Sequence, residues 1–197
     1  MMHTFCRVVH VNNRFSLPGL PPVIVFATAL AGVLALAWTV YYPGLDGSFL
    51  FDDDVNLKTL GVMGPIHDWP SLARYVTSGG STDPLGRPLS MLTFLIDAQN
   101  WPADPWSFKR TNVLLHLLNG ALLCWLMLEL GEWQGLSLAH ARRAALLGSA
   151  LWLLHPLFVS TTLYIVQREA MLPATFGFAG LLAWCKGRRR LDAGRMR

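Results

Sequence analysis

Charge is scarce in this chain. Charged residues make up 14% of its 197 residues, hydrophobic residues make up 53%, and the mean hydropathy is +0.38. A soluble domain of this size needs more charge on its surface, so the composition argues against a soluble fold and predicts a membrane protein.

Cysteine is also scarce. Cys6, Cys124 and Cys185 lie far apart, and no second His or Cys stands at metal-ligand spacing from His155. Neither a disulfide framework nor a zinc site is therefore predicted. No inverted repeat is visible and no charged residue lies deep in a predicted helix, which disfavours a small transporter or channel.

Long hydrophobic runs are what the sequence has instead. Residues 23–41 contain no charged residue and extend roughly 28 Å as a helix, close to the thickness of a bilayer's hydrocarbon core. A cleaved signal peptide with a weak site at residues 35–37 is the alternative, but the run is long for one. We predict an all-α membrane protein with about four transmembrane helices and a long helical outer loop between the first and the second. The later apolar stretches are residues 113–130, 144–166 and 171–185.

The predicted segments follow a simple order. The polar turn 131–143 joins the second and third helices into a hairpin, and His155-Pro156 predicts a bend or an end in the third helix. The expected divisions are a cytoplasmic N-terminal segment 1–22, transmembrane helix 23–42, an outer periplasmic loop 43–111, transmembrane helices two to four in 112–185, and a basic cytoplasmic tail 186–197.

Lysine and arginine set the predicted orientation. The outer loop carries eight Asp against five basic residues, whereas Arg142, Arg143 and the tail 186–197 lie on the other side. The positive-inside rule then places the N-terminus in the cytoplasm. Because the basic tail directly follows an apolar helix, we expect it to touch anionic lipid of the bilayer and not nucleic acid.

Three consecutive carboxylates, Asp52, Asp53 and Asp54, follow the first apolar run by about ten residues. A water-facing acidic triplet near the lipid boundary is suited to hold a metal, to act as a general base, or to bind a polar head group. A solvated loop would also tolerate it. The triplet is therefore a candidate site with a plain structural alternative.

Two arginines are candidate phosphate contacts. The outer loop predicts short helices at residues 69–76 and 89–96, and Arg87 stands just before the second of them. A guanidinium at head-group level is suited to grip a phosphate bidentately, although an ordinary lipid contact fits equally well. Arg168 and Glu169 predict either a turn held at the membrane surface or a second phosphate or sugar contact opposite the Asp triplet.

Polar side chains also recur within the second helix. Asn112, His116 and Asn119 have the spacing i, i+4, i+7, which places them on one stripe. Polar groups at membrane depth are costly, so this stripe predicts either a cavity wall or interhelical hydrogen bonds that fix the packing.

These motifs together resemble those of multi-spanning membrane glycosyltransferases of the GT-C class. The likeness is strongest to bacterial tetratricopeptide-repeat membrane proteins and to transmembrane O-mannosyltransferases that carry such repeats. It covers residues 23–185 and rests on Phe51-Asp52-Asp53-Asp54, Gly86-Arg87-Pro88-Leu89, Asn112-x3-His116-x2-Asn119, His155-Pro156 and Tyr164-x2-Gln167-Arg168-Glu169.

The resemblance implies transfer of a sugar from a polyprenyl-phosphate carrier to an acceptor such as a protein, on the non-cytoplasmic side of a bacterial inner membrane. It nominates Asp53, with Asp52 or Asp54 as its neighbour, for general-base or metal-linked work on the acceptor hydroxyl. A divalent ion, Mg or Mn, is a candidate cofactor with Asp52 and Asp54 as candidate ligands. The residues implied in substrate binding are Arg87, Asn112, His116, His155, Gln167, Arg168 and Glu169.

One departure from the resemblance favours a different function. Family members continue with further helices and usually a repeat domain, whereas this sequence stops at Arg197. The alternative is a non-catalytic membrane scaffold or accessory subunit, a truncated relative whose helices pack against a partner membrane protein.

Overall fold

The computed structural model describes residues 21–62, 64, 66–78 and 87–195, with side chains up to residue 192. Cys6, Gly86 and nearly all of the predicted N-terminal segment lie outside these residues. Regular structure within the described ranges is entirely helical, as predicted. The helices are α1 (Pro22–Tyr41), α2 (Asp53–Leu57), α3 (Thr59–Val62), α4 (Trp69–Thr77), α5 (Pro88–Phe94), α6 (Pro105–Trp133), α7 (Leu138–Leu153), α8 (Phe158–Leu163) and α9 (Arg168–Arg195), with 3₁₀ turns at Tyr42–Gly44 and Ile165–Gln167.

Two helical segments are long and apolar enough to cross a membrane. They are Pro22–Gly44, which is α1 with its 3₁₀ extension, and Pro105–Trp133, which is α6. Only Ala37 and Tyr41 of α1 are buried, so most of its apolar surface is exposed, as expected of a helix that contacts lipid. α7 has 16 residues, fewer than the roughly 20 that a full crossing needs. Two of the four expected spans are thus supported by length and composition.

α6 is the central helix, and α7, α9 and α1 pack against it. It begins at Pro105, several residues before the predicted start of the second span, because Asp104 caps it by accepting a hydrogen bond from the backbone N–H of Trp106. The turn to α7 is shorter than the predicted 131–143. Ser137 caps α7, so Arg142 and Arg143 lie within the helix and not in the turn.

The third predicted helix ends, as one of the two expected outcomes, at His155-Pro156. α7 stops at Leu153, and the chain turns before α8 begins at Phe158. Proline disfavours helical backbone at the residue before it, and His155 Nδ1 accepts a hydrogen bond from the backbone N–H of Leu157 at 3.2 Å. The fourth predicted helix begins earlier than Met171, at Arg168.

The described residues of the predicted outer loop, between α1 and α6, form a packed unit. Its helices α4 and α5 match the two short helices predicted there to within two residues at each end. Asp68 and Ser71 form a capping box at the start of α4. The loop shares one buried cluster with the start of α6 and with Ile165 of the α8–α9 connection: Leu57, Leu60, Tyr75, Met91, Phe94, Phe108 and Ile165.

The polar stripe of α6 forms interhelical hydrogen bonds. Asn119 Nδ2 donates to the carbonyl of Met171 at 3.1 Å, and His116 Nε2 lies 3.0 Å from the carbonyl of Leu153. Both side chains are buried. Of the two interpretations of the stripe, the structure supports packing between helices.

Gly120 tests this packing. A methyl group there would overlap the buried side chain of Leu153 on α7, so Gly120→Ala is expected to destabilise the fold by about 1–2 kcal/mol. Gly180→Ala on α9 is the matched control, since a Cβ there meets nothing within contact distance. It is expected to be neutral or slightly stabilising. Thermal midpoints in detergent measure both, and equal midpoints would contradict the close α6–α7 approach.

Candidate functional site

Arg168 occupies the centre of the half of the structure that contains the predicted outer loop, referred to below as the outer half. Its side chain is fully buried. Nε donates to Asn112 Oδ1 at 2.7 Å, Nη1 to the carbonyl of Thr93 at 3.0 Å, and Nη2 to the carbonyl of Phe108 at 2.9 Å. The guanidinium therefore ties the start of α9 to α5 and α6.

A buried carboxylate balances this charge. Asp97 Oδ2 lies 2.6 Å from Arg168 Nη2, and both side chains are shielded from water. Thr111 Oγ1 donates to the other oxygen of Asp97 at 2.5 Å. With its donors engaged inside the fold, Arg168 does not present itself to a phosphate, so the expected phosphate contact at this residue does not fit the structure. Its role here is to hold three elements together.

The connection between α8 and α9, together with the first two residues of α9, is referred to below as the junction segment; it comprises residues 164–169. Asn112 Nδ2 lies 3.2 Å from the carbonyl of Tyr164 and 3.3 Å from that of Ile165. Asp53 reaches the same segment from the outer loop. Its Oδ1 accepts the N–H of Val166 at 2.9 Å, and its Oδ2 accepts that of Ile165 at 3.4 Å. Two residues nominated from distant motifs thus meet at one place.

The three consecutive Asp side chains have three different environments. Asp52 is exposed and accepts a hydrogen bond from Asn56, whereas Asp54 is about half exposed and forms an ion pair with Lys58 at 2.5 Å. Asp53 is fully buried, so the expectation of a water-facing triplet is wrong for it. The reason is geometric, because successive side chains at a helix start point about 100° apart and only one faces the core.

Burial also changes the chemistry of Asp53. Removal from water raises the pKa of its carboxyl, and hydrogen bonds from the N–H groups of Leu50, Val166 and Ile165 offset that rise in part. The neighbouring Asp52 adds a small further rise. Asp53 thus holds its proton to a higher pH than an ordinary aspartate does.

Phe51, directly before the three carboxylates, has an unusual backbone conformation. Its φ is +46°, in the left-handed region that costs about 1–2 kcal/mol for a side chain with a Cβ. Its ring is 90% exposed and lies edge-on to Tyr164 at 5.6 Å between centroids. A strained backbone position and an exposed aromatic ring therefore lie directly before the carboxylates, as is common at ligand sites.

Lys109 is a buried residue that the sequence did not single out. Its Nζ donates to the carbonyl of Ser48 at 2.8 Å, which fixes the start of the outer loop against α6. Asp97 was missed in the same way. In the sequence, both residues stand out only as charged residues of the outer loop. No local spacing indicates their distant partners.

An open cleft lies beside the far end of the junction segment. Its volume is about 470 Å³. Arg87 and Glu169 form an ion pair at its rim, with side chains 49% and 23% exposed. The walls are mainly apolar and include Leu89, Leu172, Pro173 and Phe176. The cleft thus offers a guanidinium and a carboxylate beside an apolar surface.

The remaining nominated residues do not line this cleft. His116 is buried, with its ring stacked on Trp152 and edge-on to Tyr41. His155 is exposed and engaged with its own turn. Gln167 is partly buried at the end of its 3₁₀ turn.

The described residues do not bring together a set of ligands for a divalent ion. No three His, Cys, Asp or Glu side chains gather there. Asp52 and Asp54, the candidate ligands, engage Asn56 and Lys58 instead.

Two curated proteins match most of the chain. Human protein O-mannosyl-transferase TMTC4 is 32% identical over 185 residues, which is 86% of this chain and 24% of that protein. Its mouse counterpart is 30% identical over 188 residues, which is 85% of this chain and 24% of the relative. The chain is homologous to both. It spans about a quarter of their length. No protein-family model and no solved structure matches it.

This homology supports a relationship to membrane glycosyltransferases of the TMTC type. The matched region includes most of the chain, and the two apolar helices agree with an integral membrane protein. The relatives' printed names describe O-mannosyl transfer to protein.

Asp97 tests the central role of Arg168. Asp97→Asn leaves the buried guanidinium without its counter-charge and is expected to destabilise the fold by about 3 kcal/mol. Asp54→Asn makes the same chemical change at a half-exposed ion pair and is expected to cost about 0.5 kcal/mol or less. Thermal midpoints in detergent compare the two. An Asp97 variant as stable as the Asp54 variant would mean that the ion pair does not hold the outer half together.

Proposed function

We propose that this chain is the membrane module of a glycosyltransferase that moves a sugar from a polyprenyl-phosphate carrier to a protein acceptor on the non-cytoplasmic side of the membrane. The observation that carries the proposal is the cleft at Arg87 and Glu169. It combines one half-exposed guanidinium with apolar walls, which suits a ligand with an anionic head and a hydrocarbon chain. The names of the two homologous proteins support the same chemistry.

The ion pair at the cleft does not prevent phosphate binding. Exposed ion pairs contribute only about 0–1 kcal/mol, so Arg87 exchanges Glu169 for a phosphate at little cost. Glu169 keeps the guanidinium in position at the rim until the ligand arrives. Arg87 then stabilises the negative charge that develops on the departing lipid phosphate.

The exposed carboxylate Asp52 is proposed as the general base. It takes the proton of the acceptor hydroxyl, the hydroxyl oxygen attacks the anomeric carbon, and the bond between that carbon and the phosphate oxygen breaks. The electron pair of that bond leaves with the lipid phosphate. Asp53 is buried and acts as a positioning residue, because it joins the start of α2 to the junction segment.

The full topology belongs to the same proposal. We propose that α7 with α8 forms the third crossing and α9 the fourth, with the N-terminus in the cytoplasm of a bacterial cell. The distribution of charge supports this arrangement. Arg142, Arg143 and the tail from Lys186 onward share the end of the bundle opposite the Asp-rich outer loop.

A non-catalytic scaffold is the second candidate, and a specific observation favours it. An apolar groove of about 470 Å³ lies between α4 and α5, lined by Trp69, Leu72, Val76, Leu89 and Leu92 among others. Trp69 is 82% exposed. Such a surface on an outer loop is typical of a contact with a partner membrane protein.

The enzyme proposal is tested with the complete coding sequence expressed in membranes. Arg87→Gln is expected to lower the transfer of mannose from a polyprenyl-phosphate donor to protein by about 100-fold or more, because one charged donor to the leaving phosphate is lost. Asp52→Asn is expected to abolish transfer while leaving the thermal midpoint unchanged, since Asp52 is exposed.

Two controls accompany these variants. Arg74→Gln removes an exposed outer-loop arginine that does not line the cleft, and Asp54→Asn removes the neighbouring carboxylate. Both are expected to keep activity. Full transfer by Arg87→Gln would exclude the cleft as the phosphate site. If the chain is a scaffold, the opposite result is expected. Trp69→Ser then disrupts a complex with the partner protein, while the Arg87 and Asp52 variants behave as wild type.

A further inference from the structure

A second cleft lies at the opposite end of the bundle, where α1 and α7 begin. Its volume is about 350 Å³. Arg142 and Arg143 line it together with apolar side chains that include Val25, Phe26 and Leu146. The guanidinium of Arg142 lies over the ring of Phe26, 5.9 Å from its centroid. This cleft is separate from the one proposed for the sugar carrier.

The two arginines of this cleft have no carboxylate partner in the described part of the chain. Glu129 and Glu132 lie at the same end, but both bind Arg189, at 2.6 and 2.9 Å. The first twenty residues of the sequence contain neither Asp nor Glu, so that segment cannot neutralise the cleft. Two positive charges therefore remain uncompensated beside an apolar surface.

The position of the cleft indicates which kind of anion can neutralise its two arginines. Pro22, at its rim, begins an apolar segment long enough to cross the membrane, so the cleft lies at head-group level. The apolar wall continues along α1, where Val25 is 53% exposed. A soluble anion would satisfy the arginines but leave the apolar wall uncovered.

We propose that this cleft binds an anionic phospholipid. The guanidinium groups of Arg142 and Arg143 contact the phosphate, for which their planar donor arrangement is well suited. The acyl chain lies along Val25 and Phe26 of α1. The lipid thereby joins α1 to α7 at an end of the bundle where α1 buries no residue before Ala37.

The test uses the full chain in nanodiscs that contain equal amounts of phosphatidylglycerol and phosphatidylcholine, followed by native mass spectrometry of the retained lipid. Wild type is expected to retain phosphatidylglycerol selectively. Arg142→Gln/Arg143→Gln is expected to reduce that retention roughly 25-fold, because each cation near an anionic lipid contributes about a factor of five.

A matched control separates this site from diffuse surface charge. Arg188→Gln/Arg190→Gln removes two exposed arginines at the same end of the bundle but outside the cleft, and it is expected to keep the bound lipid. Ala29→Trp fills the apolar wall and leaves both cleft arginines in place. It is expected to lower retention while the circular dichroism spectrum stays that of wild type.

Three outcomes would overturn the proposal. They are equal retention of the two lipids by wild type, an equal loss in the cleft and control double variants, and displacement of the lipid by millimolar inorganic phosphate. The second would assign the effect to diffuse charge. The third would assign the cleft to a soluble anion.

Discussion

The buried guanidinium of Arg168 is the interaction on which the outer half of the structure depends. An arginine removed from water is tolerated only when its charge is balanced and its donors are bonded, and here Asp97, Asn112 and two backbone carbonyls meet both conditions. These partners belong to different elements. The interaction therefore joins the start of α9, the start of α6 and α5 into one assembly.

Buried and exposed polar groups have different roles around the junction segment. Asp53 and Asn112 fix its backbone from two sides, and neither is available to a ligand. Asp52 and Arg87 are anchored by the same framework but face solvent. A rigid inner layer thus holds outer groups in place, as binding and catalysis require.

Sequence patterns predicted the parts of this structure that depend on local chemistry. The apolar run of α1, the break at His155-Pro156 and the polar stripe of α6 all follow from residue type and spacing. The buried ion pair between Arg168 and Asp97 could not be predicted from residue type and spacing. Asp97 is one of eight acidic residues in the outer loop, and its burial depends on how distant helices pack. Likewise, the triplet motif could not reveal which of its three carboxylates faces inward.

The length of α6 has a consequence for a bilayer that this helix would cross. Its 29 residues extend about 43 Å, whereas the hydrocarbon core is about 30 Å thick. If its C-terminal end is held at the opposite surface, the first two or three turns stand clear of the lipid tails. Those turns carry Lys109, which bonds to the outer loop, and Phe108 and Asn112, which bond to Arg168 and to the junction segment. The length of α6 would therefore fix the distance between the candidate site and the head groups. A thicker or thinner bilayer would change that distance.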